Sequence, residues 1–310
     1  MSTADNAGTL AAALDRGPVP LDGGLSNQLA ASGHQLTDAL WTARVLRDDP
    51  DAVTAAHLAY FRAGAQVAIT ASYQASFPGF ARFGIDSRET GALLRRSVAL
   101  ARRAANAWQE SEPDRPLWIA ASVGPYGAML ADGSEYRGRY GLSATELARF
   151  HRPRMAALTE AGPDVFAVET VPDVTEAAVL VELAVEMDVP IWLSYTISGR
   201  HTRAGQPLAE AFAVAAGVDQ VVAAGVNCCA PSDVLDAVGT ARAVTGKPVV
   251  AYPNSGERWQ SAQRNWTGRR SLDPDAVRGW VAEGARLVGG CCRVGPAEIS
   301  RLSGILRRTE

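Results

Sequence analysis

Short apolar runs alternate with longer amphipathic segments along the chain. Each run is rich in Val, Ile, Ala and aromatic residues and ends in small or polar residues, which is typical of a strand buried on both faces. The segments between the runs are rich in Ala, Leu and Arg, with Asp or Ser at their starts and Gly near their ends, as helices prefer. Eight apolar runs are found, at residues 19–24, 66–73, 117–125, 165–171, 190–196, 220–228, 248–255 and 285–292.

This alternation predicts the fold class. Strands that alternate with helices form a parallel sheet covered by helices, and eight strands is the number that closes a (β/α)8 barrel. The length of 310 residues suits one such barrel. We therefore predict an α/β protein in which residues 1–310 form a single TIM-type barrel domain. An open doubly wound sheet is the alternative from pattern alone, although DGGLSNQL (22–29) is not a dinucleotide fingerprint.

Composition and charge narrow the function classes. The chain is 47% hydrophobic and 20% charged, which is ordinary for a globular protein, and its net charge of −3 gives no electrostatic footprint for nucleic acid. No apolar run approaches the roughly 20 residues that cross a bilayer, and the acidic N-terminus makes a poor signal peptide. We expect a cytoplasmic protein, a monomer or small homo-oligomer, that binds small molecules and neither nucleic acid nor membranes.

The four cysteines occur as two adjacent pairs. Cys228 and Cys229 end the sixth run, and Cys291 and Cys292 end the eighth. The carboxyl ends of barrel strands form one rim, where the sites of this fold lie, so both pairs are predicted on that rim. Thiols stay reduced in the cytosol, so a cluster of them favours zinc. Buried apolar cysteines and a redox disulfide are the alternatives.

Not every cysteine can bind one ion. Neighbouring strand residues point to opposite faces, so both members of a pair can bind only where the chain turns. Gly289 and Gly290 favour such a turn before Cys291, whereas NCCAP (227–231) has less freedom. One cysteine of that second motif is therefore expected to be a bystander.

Other predicted strand ends carry residues suited to binding a substrate. Glu169 lies inside an apolar run, where an unpaired carboxylate is costly, so it either holds a cationic group or bonds backbone amides. Asp22 precedes two glycines that permit close approach of a ligand; a turn-forming aspartate is the alternative. The predicted substrate-binding residues are Asp22, Gly23, Gly24, Thr70, Ser72, Tyr73, Gln74, Glu169, Asn227, Asn254 and Ser255.

Seven segments carry distinctive residues, in chain order DGGLSNQL, TASYQAS, VGPYGAMLADGSEYRGRYG, ETVPD, GVNCCAP, YPNSGERW and VGGCCRVGP. Together they resemble one enzyme family, the homocysteine S-methyltransferases. The resemblance covers essentially the whole chain. It is strongest to the members that use S-methylmethionine or S-adenosylmethionine, and weaker to the betaine-dependent ones. Met129 departs from the pattern, because an aromatic residue is expected there.

The resemblance implies a (β/α)8 barrel with one catalytic zinc ion. Cys228 matches the cysteine of the family's G-[VI]-N-C motif, and Cys291 and Cys292 match its G-G-C-C pair. These three residues are thereby the implied metal ligands and catalytic centre. Asp22 and Glu169 match residues of the D-G-G and E-T motifs, the former a homocysteine-binding aspartate.

A mechanism follows from this implied centre. A free thiol has a pKa of about 8.5, and coordination to zinc deprotonates it, so the homocysteine sulfur can attack a sulfonium methyl group in line. The leaving thioether is neutral, so no general acid is required. A sulfonium cation suits aromatic faces with an acidic neighbour. The aromatic candidates are Tyr73, Tyr126, Trp259 and Trp266.

Three alternatives remain open at this stage. The donor could be betaine or another onium compound, and the acceptor another thiol or a selenol. A zinc–thiolate protein without catalysis belongs to a different class. A Schiff-base aldolase is disfavoured because Lys247, the sole lysine, is predicted at the amino end of its strand, away from the rim.

Overall fold

The computed structural model describes residues 8–34, 41–260 and 265–308. Its central sheet has eight parallel strands in the order β1-β8-β7-β6-β5-β4-β3-β2, and a parallel bridge between Leu21 and Val67 joins the two ends. The strands are β1 (Val19–Pro20), β2 (Val67–Ile69), β3 (Trp118–Val123), β4 (Val165–Val171), β5 (Ile191–Tyr195), β6 (Val221–Asn227), β7 (Val249–Tyr252) and β8 (Ala285–Val288). Each lies within one predicted run, and the predicted barrel is confirmed.

Helices occupy the segments between the strands. Side chains of Asp49, Asp86, Ser143 and Asp173 accept hydrogen bonds from first-turn amides, as the capping pattern predicts. The helices are α1 (Leu10–Arg16), α2 (Leu25–Ala31), α3 (Trp41–Asp48), α4 (Pro50–Arg62), α5 (Phe77–Ala81), α6 (Ser87–Gln109), α7 (Tyr126–Leu130), α8 (Ala144–Thr159), α9 (Val174–Met187), α10 (Leu208–Ala213), α11 (Val234–Thr245), α12 (Ala276–Ala282) and α13 (Pro296–Leu306).

Several shorter elements lie within the loops. Single 3-10 turns span Ser134–Tyr136 and Pro231–Asp233, and two antiparallel hairpins pair Ile197–Ser198 with His201–Thr202 and Arg258–Gln260 with Asn265–Thr267. Within the described ranges, no helix has both the length and the apolar character that a bilayer crossing requires.

The core has two parts. One cluster combines side chains from every barrel strand with Leu10 and Leu14 of α1, so this helix covers the amino end of the barrel interior. The larger cluster lies between the strands and the outer helices. The strands are therefore buried on both faces, which explains why they are continuous apolar runs rather than alternating ones.

Candidate metal and substrate site

Three sulfur atoms converge at the carboxyl rim of the barrel. Cys228 follows β6, and Cys291 and Cys292 follow β8; their Sγ atoms all lie within 4.8 Å of one another. The Cys228–Cys292 and Cys291–Cys292 Sγ distances are 3.7 Å and 4.0 Å. Sulfurs bound at about 2.3 Å to a tetrahedral zinc ion stand about 3.8 Å apart, so the spacing fits such an ion. Three ligands would leave one coordination position open.

The backbone conformation at Cys228 gives the side chains of Cys228 and Cys229 different surroundings. Cys228 has a φ of 49°, in the left-handed region, which costs a non-glycine residue about 1 kcal/mol. Its amide donates to Tyr252 O at 3.2 Å, and its carbonyl accepts from Thr196 Oγ1 at 3.2 Å. Cys229 lies outside the sulfur group, in the core beneath the helices, and burial raises the pKa of its thiol. The expected bystander is therefore Cys229.

Glycines bring the end of β1 against the turn that carries the second cysteine pair. A Cβ at Gly24 would lie 2.7 Å from Cys291 O, and one at Gly23 would overlap Val294 O. Tyr60 OH donates to Gly24 O at 3.0 Å and to Val294 O at 3.1 Å. The close approach that these glycines permit is thus to the protein's own backbone.

The three thiols share their protons. Hydrogen bonds from Cys291 and Cys292 lower the pKa of Cys228, and the same sharing raises the pKa values of the other two. Tyr136 OH lies 3.1 Å from Cys228 Sγ and adds to the stabilisation of that thiolate. Cys228 is buried, whereas Cys291 and Cys292 are partly exposed, so the group opens on their side.

Two buried carboxylates, Asp22 and Glu169, lie near enough for their charges to interact, and Glu169 also interacts with the charge of Cys228. Asp22 Oδ2 accepts from Ile69 N at 2.8 Å, while Oδ1 has no hydrogen-bond partner among the described residues. Glu169 accepts from Ser122 Oγ and, at 3.1 Å, from Tyr252 OH. Burial raises the pKa of Asp22, with the charge of Glu169 adding to it, and burial raises the pKa of Glu169 to about 7. A cation between the two would offset these costs.

Asn227 fixes the kink that presents Glu169. Thr170 has a φ of 59°, at a register shift in β4. Asn227 Oδ1 accepts from Thr170 N at 2.7 Å and from Ser194 Oγ at 2.6 Å, and Nδ2 donates to Thr170 Oγ1 at 2.8 Å. Both ends of the Asn227 amide therefore bond protein groups.

The predicted rim residues after β2 join that strand to β3. Thr70 Oγ1 and Ser72 Oγ lie 2.7 Å apart, and Ser72 Oγ donates to Ser122 O at 2.8 Å. Gln74 Nε2 donates to Ala128 O at 2.9 Å. The hydroxyls and this amide thus hold neighbouring loops together.

Tyr73 lies next to the sulfur group. Its ring packs on Gly124, where an added Cβ would approach ring carbons to 2.6 Å. Burial raises the pKa of Tyr73, and the charges of Glu135 and Cys228 add to the effect. Among the predicted aromatic residues, Tyr73 is therefore one that the structure brings to this site.

The residues after β7 position Cys292. Asn254 Oδ1 accepts from Cys292 N at 3.1 Å, and Ser255 N donates to Cys292 O at 3.0 Å. Ser255 Oγ donates to Glu257 at 2.9 Å, and Glu257 pairs with Arg293 through N–O distances of 2.8 and 3.0 Å.

The other aromatic candidates have different surroundings. Tyr126 packs against Phe150 and Tyr140, with ring centroids 4.9 and 5.3 Å apart, in a cluster of aromatic side chains. Trp259 and Trp266 are backbone partners across their hairpin, and their side chains lie outside the part that the structure describes.

Sequence reasoning missed Glu135 and Tyr136. Both belong to the 3-10 turn that places Tyr136 against Cys228, and Glu135 is buried beside them. Both lie in VGPYGAMLADGSEYRGRYG, one of the seven segments that carry the family resemblance, so the segment was marked although these two side chains were not. Such a resemblance does not reveal which side chains turn inward.

Comparison with known proteins agrees with this geometry. Residues 19–306 match the family model for homocysteine S-methyltransferase. The homocysteine S-methyltransferase of Escherichia coli K12 is 45% identical over 288 residues, covering 91% of this chain and 93% of its own. Homocysteine S-methyltransferase YbgG of Bacillus subtilis is 41% identical over 294 residues, with 92% and 93% covered. The metallated form of the E. coli homocysteine methyltransferase MmuM superposes with a TM-score of 0.87 at 43% identity, covering 95% of this chain and 98% of its own. The chain therefore belongs to the homocysteine S-methyltransferase family.

Proposed function

We propose that this protein is a zinc-dependent enzyme that transfers a methyl group from a sulfonium donor to homocysteine and so forms methionine. S-methylmethionine and S-adenosylmethionine are the proposed donors. The observation that supports the proposal is the cluster of three thiols together with two buried carboxylates, Asp22 and Glu169, whose charges interact with each other and, for Glu169, with Cys228. Metal binding by the three thiols does not require that pair of carboxylates.

Cys228, Cys291 and Cys292 are the residues that would hold the zinc ion. Their sulfur spacing and the softness of thiolates suit zinc, and the metallated form of the E. coli relative supports a resident metal. When bound, the ion supplies the Lewis acidity that keeps a coordinated thiol deprotonated at neutral pH. Reduced thiols are required, so we also propose a cytoplasmic location.

The carboxylates would hold the amino group of homocysteine. Asp22 Oδ1 has no partner among the described residues, and Glu169 is costly to ionise without a nearby cation. An ammonium between them satisfies both and fixes the direction of the sulfur. The remaining predicted rim residues, including Asn227 and Asn254, would support the site by holding Glu169 and Cys292 in place.

The bond changes balance without a proton donor. The homocysteine sulfur forms a bond to the methyl carbon while the bond from that carbon to the donor sulfur breaks. The electron pair of the broken bond stays on the donor sulfur, which leaves as a neutral thioether. The thiol proton of homocysteine leaves to solvent when the thiolate forms. Methyl transfer then neutralises the negative thiolate and the positive sulfonium, so the chain needs to orient and desolvate its substrates and needs no proton donor for the leaving group.

A panel of methyl donors tests the proposal. Zinc-loaded, reduced protein is incubated with homocysteine and S-methylmethionine, S-adenosylmethionine or betaine, and methionine is measured by mass spectrometry. We expect methionine from a sulfonium donor, and none from Cys228→Ala protein. Methionine from betaine alone would change the donor class. A stoichiometric metal with no methyl transfer from any donor would indicate a binding protein instead.

A further inference from the structure

The segment after α7 brings a second acidic group to the sulfur site. Its 3-10 turn, Ser134–Tyr136, places Tyr136 OH 3.1 Å from Cys228 Sγ. Asp132 Oδ1 accepts from Ser134 N at 2.9 Å and also from its hydroxyl, and Arg137 donates to Ser134 Oγ at 3.0 Å. These bonds fix the turn, so the direction of Glu135 is fixed by the fold.

Glu135 is buried and forms no ion pair with any residue that the structure describes. The residue is 7% exposed, and its Oε2 has no hydrogen-bond partner among the residues that the structure describes. Arg137, two residues further on, pairs instead with Asp132 at 3.6 Å. Burial raises the pKa of Glu135 to about 7, and the negative charge of Cys228 adds to this. Such a carboxylate costs free energy in the folded protein unless a cation joins it.

The surroundings of Glu135 define the cation that would fit. The negative charge of Glu135 helps to raise the pKa of Tyr73, for which burial is the largest cause. It also helps to raise the pKa of Cys292, for which the hydrogen bond with Cys228 is the largest cause. Glu135 directly precedes Tyr136, whose OH lies 3.1 Å from Cys228 Sγ, so the turn carries the buried carboxylate to the edge of the sulfur group. Aromatic faces with a buried carboxylate attract a weakly hydrated cation on an apolar frame. Asp22 and Glu169 are available for the acceptor, which leaves Glu135 unassigned.

We propose that the Glu135 carboxylate is the counter-charge of the sulfonium sulfur in the methyl donor, with Tyr73 and Tyr136 flanking the bound cation. This assignment rests on the proposed function and adds the residue that selects a charged donor. The donor loses its positive charge as the methyl group moves. The carboxylate consequently stabilises the bound donor at least as well as the transition state, and it acts on donor affinity rather than on the chemical step.

The first test is Glu135→Gln, which keeps the shape and removes the charge. We expect the KM for S-methylmethionine to rise about ten- to a hundredfold, with kcat changed by less than about threefold. The Kd for the same donor, from calorimetry on zinc-loaded protein, should rise in parallel. Zinc content and the KM for homocysteine should stay at wild-type values. An unchanged donor KM and Kd in this variant would overturn the assignment.

Asp132→Asn is the matched control, because its amide oxygen can still accept the two Ser134 hydrogen bonds that fix the turn while the charge is lost. It removes one negative charge three residues away in the same segment, where the side chain is 54% exposed. The donor KM of this variant should remain within about twofold of wild type, because solvent screens an exposed charge. A loss as large as that of Glu135→Gln would mean that the general charge of the segment matters, which would overturn the specific role of Glu135.

Two further donors separate charge from structure. Methyl methanesulfonate is uncharged, so its reaction with bound homocysteine should proceed equally in wild type and Glu135→Gln; an equal loss with both donors would make Glu135 structural. Trimethylsulfonium is charged but lacks an amino group, so methyl transfer from it should fall in Glu135→Gln as much as methyl transfer from S-methylmethionine does. A loss confined to S-methylmethionine would assign the carboxylate to the donor's ammonium instead. If the wild type transferred methyl from no sulfonium at all, the proposed function would fail as well, which distinguishes the two failures.

Discussion

Cys228 and Cys229 are adjacent in the chain, yet the fold gives them opposite environments. The left-handed backbone at Cys228 directs its sulfur to the rim, where it meets Cys292 at 3.7 Å. Cys229 instead fills space in the core beneath the helices. At this scale, one backbone angle decides which thiol can bind a metal and which contributes only to packing.

Replacing single cysteines tests that division. Cys228→Ala, Cys291→Ala and Cys292→Ala should each lose the metal, because each removes one of the thiolates of a three-thiolate site. Cys229→Ala should keep about one zinc per chain. Zinc content, measured by mass spectrometry on reduced, purified protein, distinguishes them. Metal-free Cys229→Ala beside zinc-loaded Cys228→Ala would reverse the assignment.

Glu169→Gln tests the ammonium site. The variant keeps an acceptor for Tyr252 or Ser122 but removes the charge, so kcat/KM for homocysteine should fall about ten- to a hundredfold with zinc content intact. Mercaptopropionate is a thiol without the amino group, so the variant and the wild type should methylate it at similar rates. Equal losses on the two thiols would make Glu169 structural. The same comparison for Asp22→Asn tests whether both carboxylates share the ammonium.

Helix α8 supports the rim from behind through one buried guanidinium. Arg154 donates to Gly124 O at 3.0 Å, Ser72 O at 3.1 Å and Tyr73 O at 2.9 Å. It thereby bonds the loops after both β2 and β3. Burial lowers its pKa to about 10, so the group stays charged at neutral pH. An element outside the barrel thus sets the position of Tyr73 within it.

Arg154→Met should lower the free energy of unfolding by about 2–4 kcal/mol, because the three carbonyl groups lose their donors. Urea denaturation measures this change. Arg152→Met is the control: Arg152 lies two residues earlier on the same helix, is 47% exposed and pairs with Glu186. That variant should stay within about 0.5 kcal/mol of wild type. A loss in Arg154→Met as small as that of the control would mean that the buried bonds to the loops contribute little.

The barrel closes through a short contact between β1 and β2, and the sulfur group connects β6 with β8 at the rim. Between β1 and β2, the Leu21–Val67 bridge is extended by Asp22, whose carboxylate accepts from Ile69 N at 2.8 Å. The sulfur group joins the ends of β6 and β8, which β7 separates in the sheet. A metal held there links parts of the chain that are far apart in sequence.

Metal removal should therefore lower both stability and activity. A ligand that binds only the folded state adds stability, so chelation should lower the melting temperature. Without metal, the neighbouring thiols should oxidise in air, and activity should return only with reductant and zinc together. Differential scanning calorimetry and methyl-transfer assays measure the two effects. Full activity in a strong chelator, with no detectable metal, would contradict the metal mechanism.

The sequence alone determined the barrel and the position of its rim. Continuous apolar runs record burial on both faces, which is a local property, so each run contains a strand. Because strand ends are local as well, Asp22, Glu169 and the cysteine pairs could be placed on one rim without coordinates. The choice among the cysteines also followed in part, since Gly289 and Gly290 indicated a turn before Cys291.

Only the tertiary structure decided which side chains meet. Tyr136 and Cys228 are separated by 92 positions, and Arg154 reaches carbonyl groups more than 80 positions away at Ser72 and Tyr73. No periodicity marks such contacts, because they depend on how loops of irregular backbone fold over the rim. Burial of Glu135 arises in the same way: its segment is polar in sequence, and its carboxylate becomes enclosed only when the turn packs against the barrel.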